Sequence, residues 1–208
     1  MEIFIFDLDY TLLIPDWSKE DIFFKENLPL EEFFKLMEIK QFALNEYEKV
    51  ANKYELTTLS VFYKQYNVNL PKEVIEKWMI YNGNTIIDTL NDGTLELLDY
   101  LKKNKKRIVL LSNWFSVTQI MRLKRSNIYD YFDLIICGDQ AMKPSSKSFE
   151  LAIQDYPKEK CIMIGDDAIK DYQGAIEFGI NAYLLDKNHT LTDFLNELKD
   201  ESINSKTI

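Results

Sequence analysis

The sequence predicts a doubly wound α/β protein, a mostly parallel sheet interrupted by an all-helical insert. Two observations carry the sheet. Short Ile, Leu, Val and Phe runs recur at 2–6, 107–111, 133–137, 161–164 and 181–185. None alternates with polar residues, which is the pattern of parallel strands covered on both faces. Helical periods separate the later runs, and alternating strand and helix at this spacing builds a parallel sheet with helices on both sides. A third observation sets the insert apart. From about Asp16 to Asp88 no run reads as a strand.

The elements follow in order. After the strand at 2–6, helical periods run through Ile22, Phe23 and Asn27, through Leu30, Phe33, Phe34 and Met37, and from Phe42 to Tyr54. Further helices are predicted over Thr58 to Tyr66 and Pro71 to Asn82, with Pro29 and Pro71 where first turns begin. An insert of about 70 residues far exceeds an ordinary strand-to-helix connection and suits a lid. Its aromatics, Phe23, Phe24, Phe33, Phe34, Phe42, Phe62, Tyr63 and Trp78, are expected to form its core. Asp92-Gly93 then opens a helix through Leu101, and Phe115 to Leu123 forms another. Ser145 is read as the cap of a helix to Ile153, and Gly179 as the C-terminal stop of Lys170 to Phe178. Leu191 to Leu198 closes the fold, and the polar tail from Asp200 to Ile208 is expected to fray. The division expected is residues 1–15 and 88–208 as core, with 16–87 as a helical cap.

Composition excludes several classes. With 208 residues, 46% of them hydrophobic, the chain is long enough for a sizeable core and too apolar for wholesale disorder. A net charge of −9 argues against nucleic acid, which needs a basic footprint. The basic cluster Lys102-Lys103 with Lys105-Lys106-Arg107 reads as a solvated helix end. No run approaches the roughly 20 apolar residues that span a bilayer. No signal peptide is read, so a cytoplasmic location is expected. Cys137 and Cys161 form no CxxC pair and read as buried thiols. His189 is the only histidine, at a loop-to-helix junction, so a histidine relay is not expected.

Four short motifs carry the chemistry: Asp7-Leu8-Asp9-Tyr10-Thr11, Ser112-Asn113, Lys143-Pro144, and Gly165-Asp166-Asp167 with Asp171. Alone each is weak: DxDxT and GDD also occur as turns, and Lys-Pro means little. Together, three of them directly follow buried strands on the edge where parallel sheets hold ligands. Two carboxylates about 4 Å apart repel by about 4 kcal/mol at an effective dielectric of 20. Asp7, Asp9, Asp166, Asp167 and Asp171 therefore need Lys143 and a divalent cation beside them, and oxygen donors without a Cys or His cluster select Mg²⁺. Asp7 suits a nucleophile, Asp9 a general acid and base, Ser112 a phosphoryl contact and Lys143 a charge anchor.

In these motifs the chain resembles the haloacid dehalogenase (HAD) superfamily of hydrolases with a helical cap. The segments are IFIFDLDYTLL, LLSNW, YFDLIICGDQAMKPSSKSFELAI and KCIMIGDDAIKDYQGAIEFGINAYLL, covering residues 1–13 and about 88–187. The resemblance implies a Rossmann-like core and an Mg²⁺-dependent phosphatase with an aspartyl-phosphate intermediate. Its substrate would be a small phosphomonoester such as a sugar phosphate or a nucleotide. It implies Asp7, Asp9, Ser112 and Lys143 as catalytic, with Asp7, Leu8, Asp9, Ser112, Asn113 and Lys143 contacting substrate. It implies metal held by Asp7, the Asp9 carbonyl and Asp166, with Asp167 and Asp171 acting directly or through water. Tyr10 replaces a common glycine, and Lys170 stands where Asn is frequent. Trp114-Phe115 either line the entrance or pack the next helix. Dehalogenase relatives lack an acid at the position of Asp9, and phosphosugar mutases carry cap histidines absent here. A signalling receiver domain would have its acidic pair earlier and no insert; a non-catalytic binding protein is a further alternative. Substrate identity and oligomeric state stay open.

Overall fold

Strand β1 (Ile3–Phe6) is the middle of a five-stranded parallel sheet in a computed structural model that describes residues 1–204. Its partners are β4 (Arg107–Ser112) on one side and β6 (Cys161–Gly165) on the other. Strands β5 (Leu134–Cys137) and β7 (Asn181–Leu184) complete the order β5-β4-β1-β6-β7. All four β1 residues are buried because both faces are covered. Phe4 and Phe6 join Leu97, Leu101, Leu110 and Phe194 on one face. Ile3 and Ile5 join Val109, Leu111, Phe149 and Met163 on the other. Side-chain alternation along a strand makes these two separate cores.

The covering helices are α5 (Thr94–Lys103), α6 (Ser116–Arg125), α7 (Ser146–Ile153), α8 (Gly174–Phe178) and α9 (Leu191–Asn204). Gly179 ends α8 with φ of 96°, as expected of a C-terminal glycine. Two local expectations need correction. Ser145 does not cap α7 through its hydroxyl, which donates to the Met142 carbonyl instead. The segment expected as one helix from Lys170 begins as a π-helical turn, Ala168–Gln173, before α8. The polar tail past Asn204 lies outside the described residues; Asp200 itself continues α9.

The insert holds α1 (Glu20–Asn27), α2 (Leu30–Val50), α3 (Leu56–Lys64) and α4 (Lys72–Thr85). The two helical periods expected within 30–54 merge into the single helix α2. Pro29 and Pro71 precede α2 and α4 directly, as residues without an amide to satisfy. The linkers are strands that the sequence reading missed. β2 (Leu13–Asp16) pairs antiparallel with β3 (Ile87–Leu90). β3 is exposed and partly polar, so periodicity did not reveal it.

Phe23, Phe24, Tyr63 and Trp78 are buried in the insert, as expected; Phe34 and Phe42 are more than half exposed. The insert's core does not stop at its linkers. Phe115 and Met142 belong to the same apolar cluster as Phe24, Leu36, Tyr47 and Trp78. Helix α4 packs along α6 closely enough that a Cβ on Gly83 would meet Met121 Sδ at 2.8 Å. Two backbone bonds join loops across the boundary, Tyr54 N–H to Gly138 O at 2.7 Å and Met142 N–H to Asn52 O at 3.0 Å. Among the described residues no helix is long and apolar enough to cross a membrane.

Candidate active site

Register brings the motifs together. Phe6 lies opposite Leu110 on β4 and Ile164 on β6. The three strands therefore end close together, at Phe6, Ser112 and Gly165, and bring Asp7, Ser112 and Asp166 to one edge of the sheet. The Asp7 amide donates to Ile164 O at 3.0 Å, extending the ladder by one residue and fixing where its side chain starts.

Lys143 Nζ lies 2.6 Å from Asp7 Oδ1 and 2.6 Å from Asp171 Oδ1. Its backbone is clamped by Asn113, whose Oδ1 accepts from Lys143 N–H at 2.7 Å while Nδ2 donates to Lys143 O at 2.8 Å. The Asn113 amide is thus spent on positioning the lysine. Asp171 is buried on the π-helical turn, and its carboxylate occupies space that only glycine leaves open. A Cβ on Gly165 would lie 2.1 Å from Asp171 Oδ2. Asp171 Oδ2 also accepts from the Asp167 amide at 3.1 Å, and Asp166 Oδ1 from Thr11 Oγ1 at 3.3 Å.

Asp7, Asp166 and Asp171 each offer an oxygen within 4.8 Å of the others. Asp167 is not among them: its carboxylate caps the next turn, accepting from the amides of Ile169 and Lys170 at 2.9 Å. Asp9 is turned away as well, with Oδ1 2.6 Å from Arg122. Leu8 buries its side chain in the core and is not among the residues that line the cavity. Three carboxylates against one ammonium leave excess negative charge. An all-oxygen donor set of that charge fits a hard divalent cation such as Mg²⁺.

The titrations follow from the same charges. Burial pushes the Asp7 carboxyl up to about 8; Lys143 pulls it down, and Asp171 and Asp9 push it further up. Burial and the neighbouring Asp171 also raise Asp166. Burial opposes the Lys143 charge, but Asp171 and Asp7 outweigh it and hold the ammonium above its usual value. Burial raises Asp167 too, yet its two backbone donors prevail and keep it low.

A cavity of about 550 Å³ opens above this edge and is roofed by the insert. Helix α2 lines it with Gln41, Leu44, Asn45 and Glu48, residues one turn apart on one face. Trp17, Trp78 and Trp114 add ring surface. Trp114 lines the cavity, whereas Phe115 neither lines it nor serves its own helix but packs into the insert's core. Tyr10 stands at the mouth, half exposed, with φ of 59°. That left-handed backbone favours glycine and costs a tyrosine about 1–2 kcal/mol. Lys170 closes the other side, donating to Glu48 Oε2 of α2 at 2.6 Å.

Sequence reasoning missed Arg122, Gln119, Asp88 and Glu48. The signal for the first two was present: Thr118, Gln119 and Arg122 sit on the inward stripe of α6 beside Leu123. Polar side chains at core positions call for a partner inside.

Comparison with known proteins decides the family. The model of haloacid dehalogenase-like hydrolases matches residues 1–179. The chain belongs to that family. This HAD-like hydrolase is similar to the pyrimidine 5'-nucleotidase YjjG of Escherichia coli K12, 32% identical over 113 residues, 52% of this chain and 50% of that one. The chain thus matches about half the length of that relative. It is 24% identical to the pyrimidine 5'-nucleotidase PynA of Streptococcus pneumoniae over 204 residues, 89% of this chain and 84% of the relative. In fold, the HAD hydrolase resembles a HAD phosphatase from Thermococcus onnurineus, with a TM-score of 0.63 at 21% identity, covering 95% of this chain and 98% of that one.

Proposed function

We propose that the protein is an Mg²⁺-dependent phosphomonoester hydrolase that works through an aspartyl phosphate on Asp7. One observation carries this reading. Asp7 shares Lys143 with Asp171 at 2.6 Å each, on the same strand edge as Ser112 and Asp9. A buried carboxylate held this way is positioned to attack phosphorus, and its partners balance the charge of the transferring group.

In the first step an Asp7 oxygen forms a bond to phosphorus while the bond to the leaving oxygen breaks, and Asp9 gives that oxygen a proton. In the second, Asp9 takes a proton from water, the water oxygen bonds phosphorus, and the Asp7 carboxylate leaves. Ser112 donates to a phosphoryl oxygen, and Lys143 holds Asp7 in place for both steps. Asp7, Asp166 and Asp171, with the Asp9 carbonyl, would hold Mg²⁺, and Asp167 would act through its turn. The bound ion supplies positive charge against the crowded oxygens.

Residues 16–87 serve as a cap that excludes water and meets the leaving group. The substrate is a small phosphorylated metabolite, and a pyrimidine nucleoside monophosphate is the first to test. Two relatives are named for that activity, and the cavity pairs indole rings with the amides of Gln41 and Asn45. Rings can stack on a base, and amides can bond its edge. Two buried free thiols agree with a reducing, cytoplasmic setting. The test is phosphate release from a panel of nucleotides, sugar phosphates and aryl phosphates, with Mg²⁺ or with EDTA. Release that requires Mg²⁺ is expected; no release from any ester, or full release in EDTA, refutes the reading.

A further inference from the structure

Arg122 is wholly buried on α6 and reaches four groups at once. Its Nη2 lies 2.6 Å from Asp9 Oδ1 and 2.6 Å from Asp88 Oδ1. Its Nε donates to the same Asp88 carboxylate at 3.1 Å. Its Nη1 donates to Gln119 Oε1 at 2.9 Å, and its guanidinium carbon sits 5.5 Å from the Trp17 ring centroid. Asp88 lies on β3 and Trp17 directly follows β2, so the arginine is gripped by both linkers of the insert.

The bonding has a direction. A guanidinium has donors only, so Gln119 must turn its oxygen toward Arg122. Its Nε2 then points the other way, donating to Ser112 Oγ at 2.8 Å, with a longer contact of 3.4 Å to Asp9 Oδ2. With its oxygen occupied as an acceptor, the Ser112 hydroxyl keeps its proton for an acceptor in the cavity. Asp9, for its part, is pinned through Oδ1. Its Oδ2 is left as the oxygen that can exchange a proton with a bound ester.

We infer that Arg122 is a positioning residue that sets two reacting groups at once: Asp9 directly, and Ser112 through Gln119. Asp88 is its anchor on the insert's linker. The inference rests on the phosphatase reading and adds to it a reason for a fully buried arginine where α6 faces the sheet edge. It also ties the acid to the linker pair, since any shift of β3 moves Asp88 and with it the guanidinium.

The test compares Arg122→Lys and Asp88→Asn with wild type on two esters in Mg²⁺. One is p-nitrophenyl phosphate, whose leaving group needs no proton; the other is glycerol 2-phosphate, whose alkoxide does. kcat/KM is read because it reports the first transfer. Lysine keeps the charge but cannot span Asp9, Asp88 and Gln119 in one plane. The expected loss on the alkyl ester is about 100-fold or more, the scale of lost general acid help, and the loss on the aryl ester is smaller by at least about tenfold. The inhibition constant of inorganic phosphate should rise as Ser112 loses its orientation. Asp88→Asn, which is nearly isosteric and keeps an acceptor, should shift the alkyl-to-aryl ratio in the same direction by less, and it carries the test if Arg122→Lys does not fold. Equal losses on both esters in the folded variants mean a merely structural arginine and overturn the inference alone. A wild-type protein inactive on both esters overturns the phosphatase reading and the inference with it.

Discussion

Removing metal should make this protein less stable as pH rises, and Asp7 sets the size of the effect. Burial lifts its carboxyl from an ordinary 3.8 to about 8. The folded state then binds this proton more tightly than the unfolded chain does. Between those two values the folded protein carries more bound protons, so unfolding free energy falls with pH. The slope approaches 1.4 kcal/mol per pH unit, about 3–5 °C in Tm for a chain of this length. Asp166 is raised too and adds to the same trend. Lys143 does not interfere, because its ordinary and folded values both lie above this window. The assay is calorimetry in EDTA at pH 5, 6, 7 and 8, with wild type and Asp7→Asn. Wild type should lose Tm steadily, and Asp7→Asn should lose little. The Tm gain on adding Mg²⁺ should grow with pH, since metal and proton compete for the same oxygens. A flat or rising apo profile, or an unchanged slope in Asp7→Asn, refutes the account of a buried, under-neutralised carboxylate.

Three further outcomes are expected. Asp9→Asn should cut kcat/KM on alkyl phosphates by roughly 10² to 10⁴, and by much less on p-nitrophenyl phosphate; steady-state kinetics on the two esters checks it. Glu20 is buried in the insert, where it accepts from Trp78 Nε1 at 2.8 Å and Asn82 Nδ2 at 2.9 Å and pairs with Lys40. Glu20→Leu strands those donors and the cation at a cost of about 3–5 kcal/mol, to be read as a lower midpoint in urea unfolding. Excising residues 17–85 for a Gly/Ser linker should not yield a well-packed core. It uncovers Phe115 and Met142, each worth about 1.5–3 kcal/mol when buried; a sharp near-UV circular dichroism spectrum and a cooperative melt would contradict this.

The last of these follows from an insert whose apolar core runs on into Phe115 and Met142, and that continuity shows how far the sequence was legible. Strands buried on both faces announce themselves as unbroken apolar runs, so β1, β4 and β6 and the residues at their ends could be read directly. The linker strands could not. β3 is only four residues long, and none of them is buried. Nor does periodicity say what a buried aromatic packs against. Phe115 reads equally well as a residue of its own helix or as part of the insert's core, and it is the second. Among the acidic residues, type and spacing did not separate Asp171, whose oxygen joins Asp7 and Asp166, from Asp167, which satisfies two amides of the next turn. That distinction depends on a turn of π-helix, and no hydrophobic period marks one.

The same geometry divides the chemistry from the choice of substrate. In the proposed reaction the groups that face the phosphoryl come from the sheet edge, while the far wall of the cavity comes from the insert. On α2 that wall is a single stripe, Lys40, Gln41, Leu44, Asn45 and Glu48. Glu48 is held by Lys170 and by the Tyr54 hydroxyl at 2.6 Å, so it is fixed by the core and by its own domain alike. Among the described residues, Gln41 and Asn45 are held only by each other, at 3.0 Å. A leaving group entering the cavity therefore meets the paired Glu20 and Lys40, the committed Glu48 carboxylate, and two amides that can exchange their mutual bond for bonds to it. Substituting Gln41 or Asn45 should move KM and the ranking of substrates while sparing Mg²⁺ binding. Substituting Glu48 should in addition loosen the contact that holds α2 to the π-helical turn, one residue from Asp171. If Glu48→Gln changes only the substrate ranking and leaves Tm and Mg²⁺ affinity untouched, the tie between α2 and the acidic cluster carries no energy.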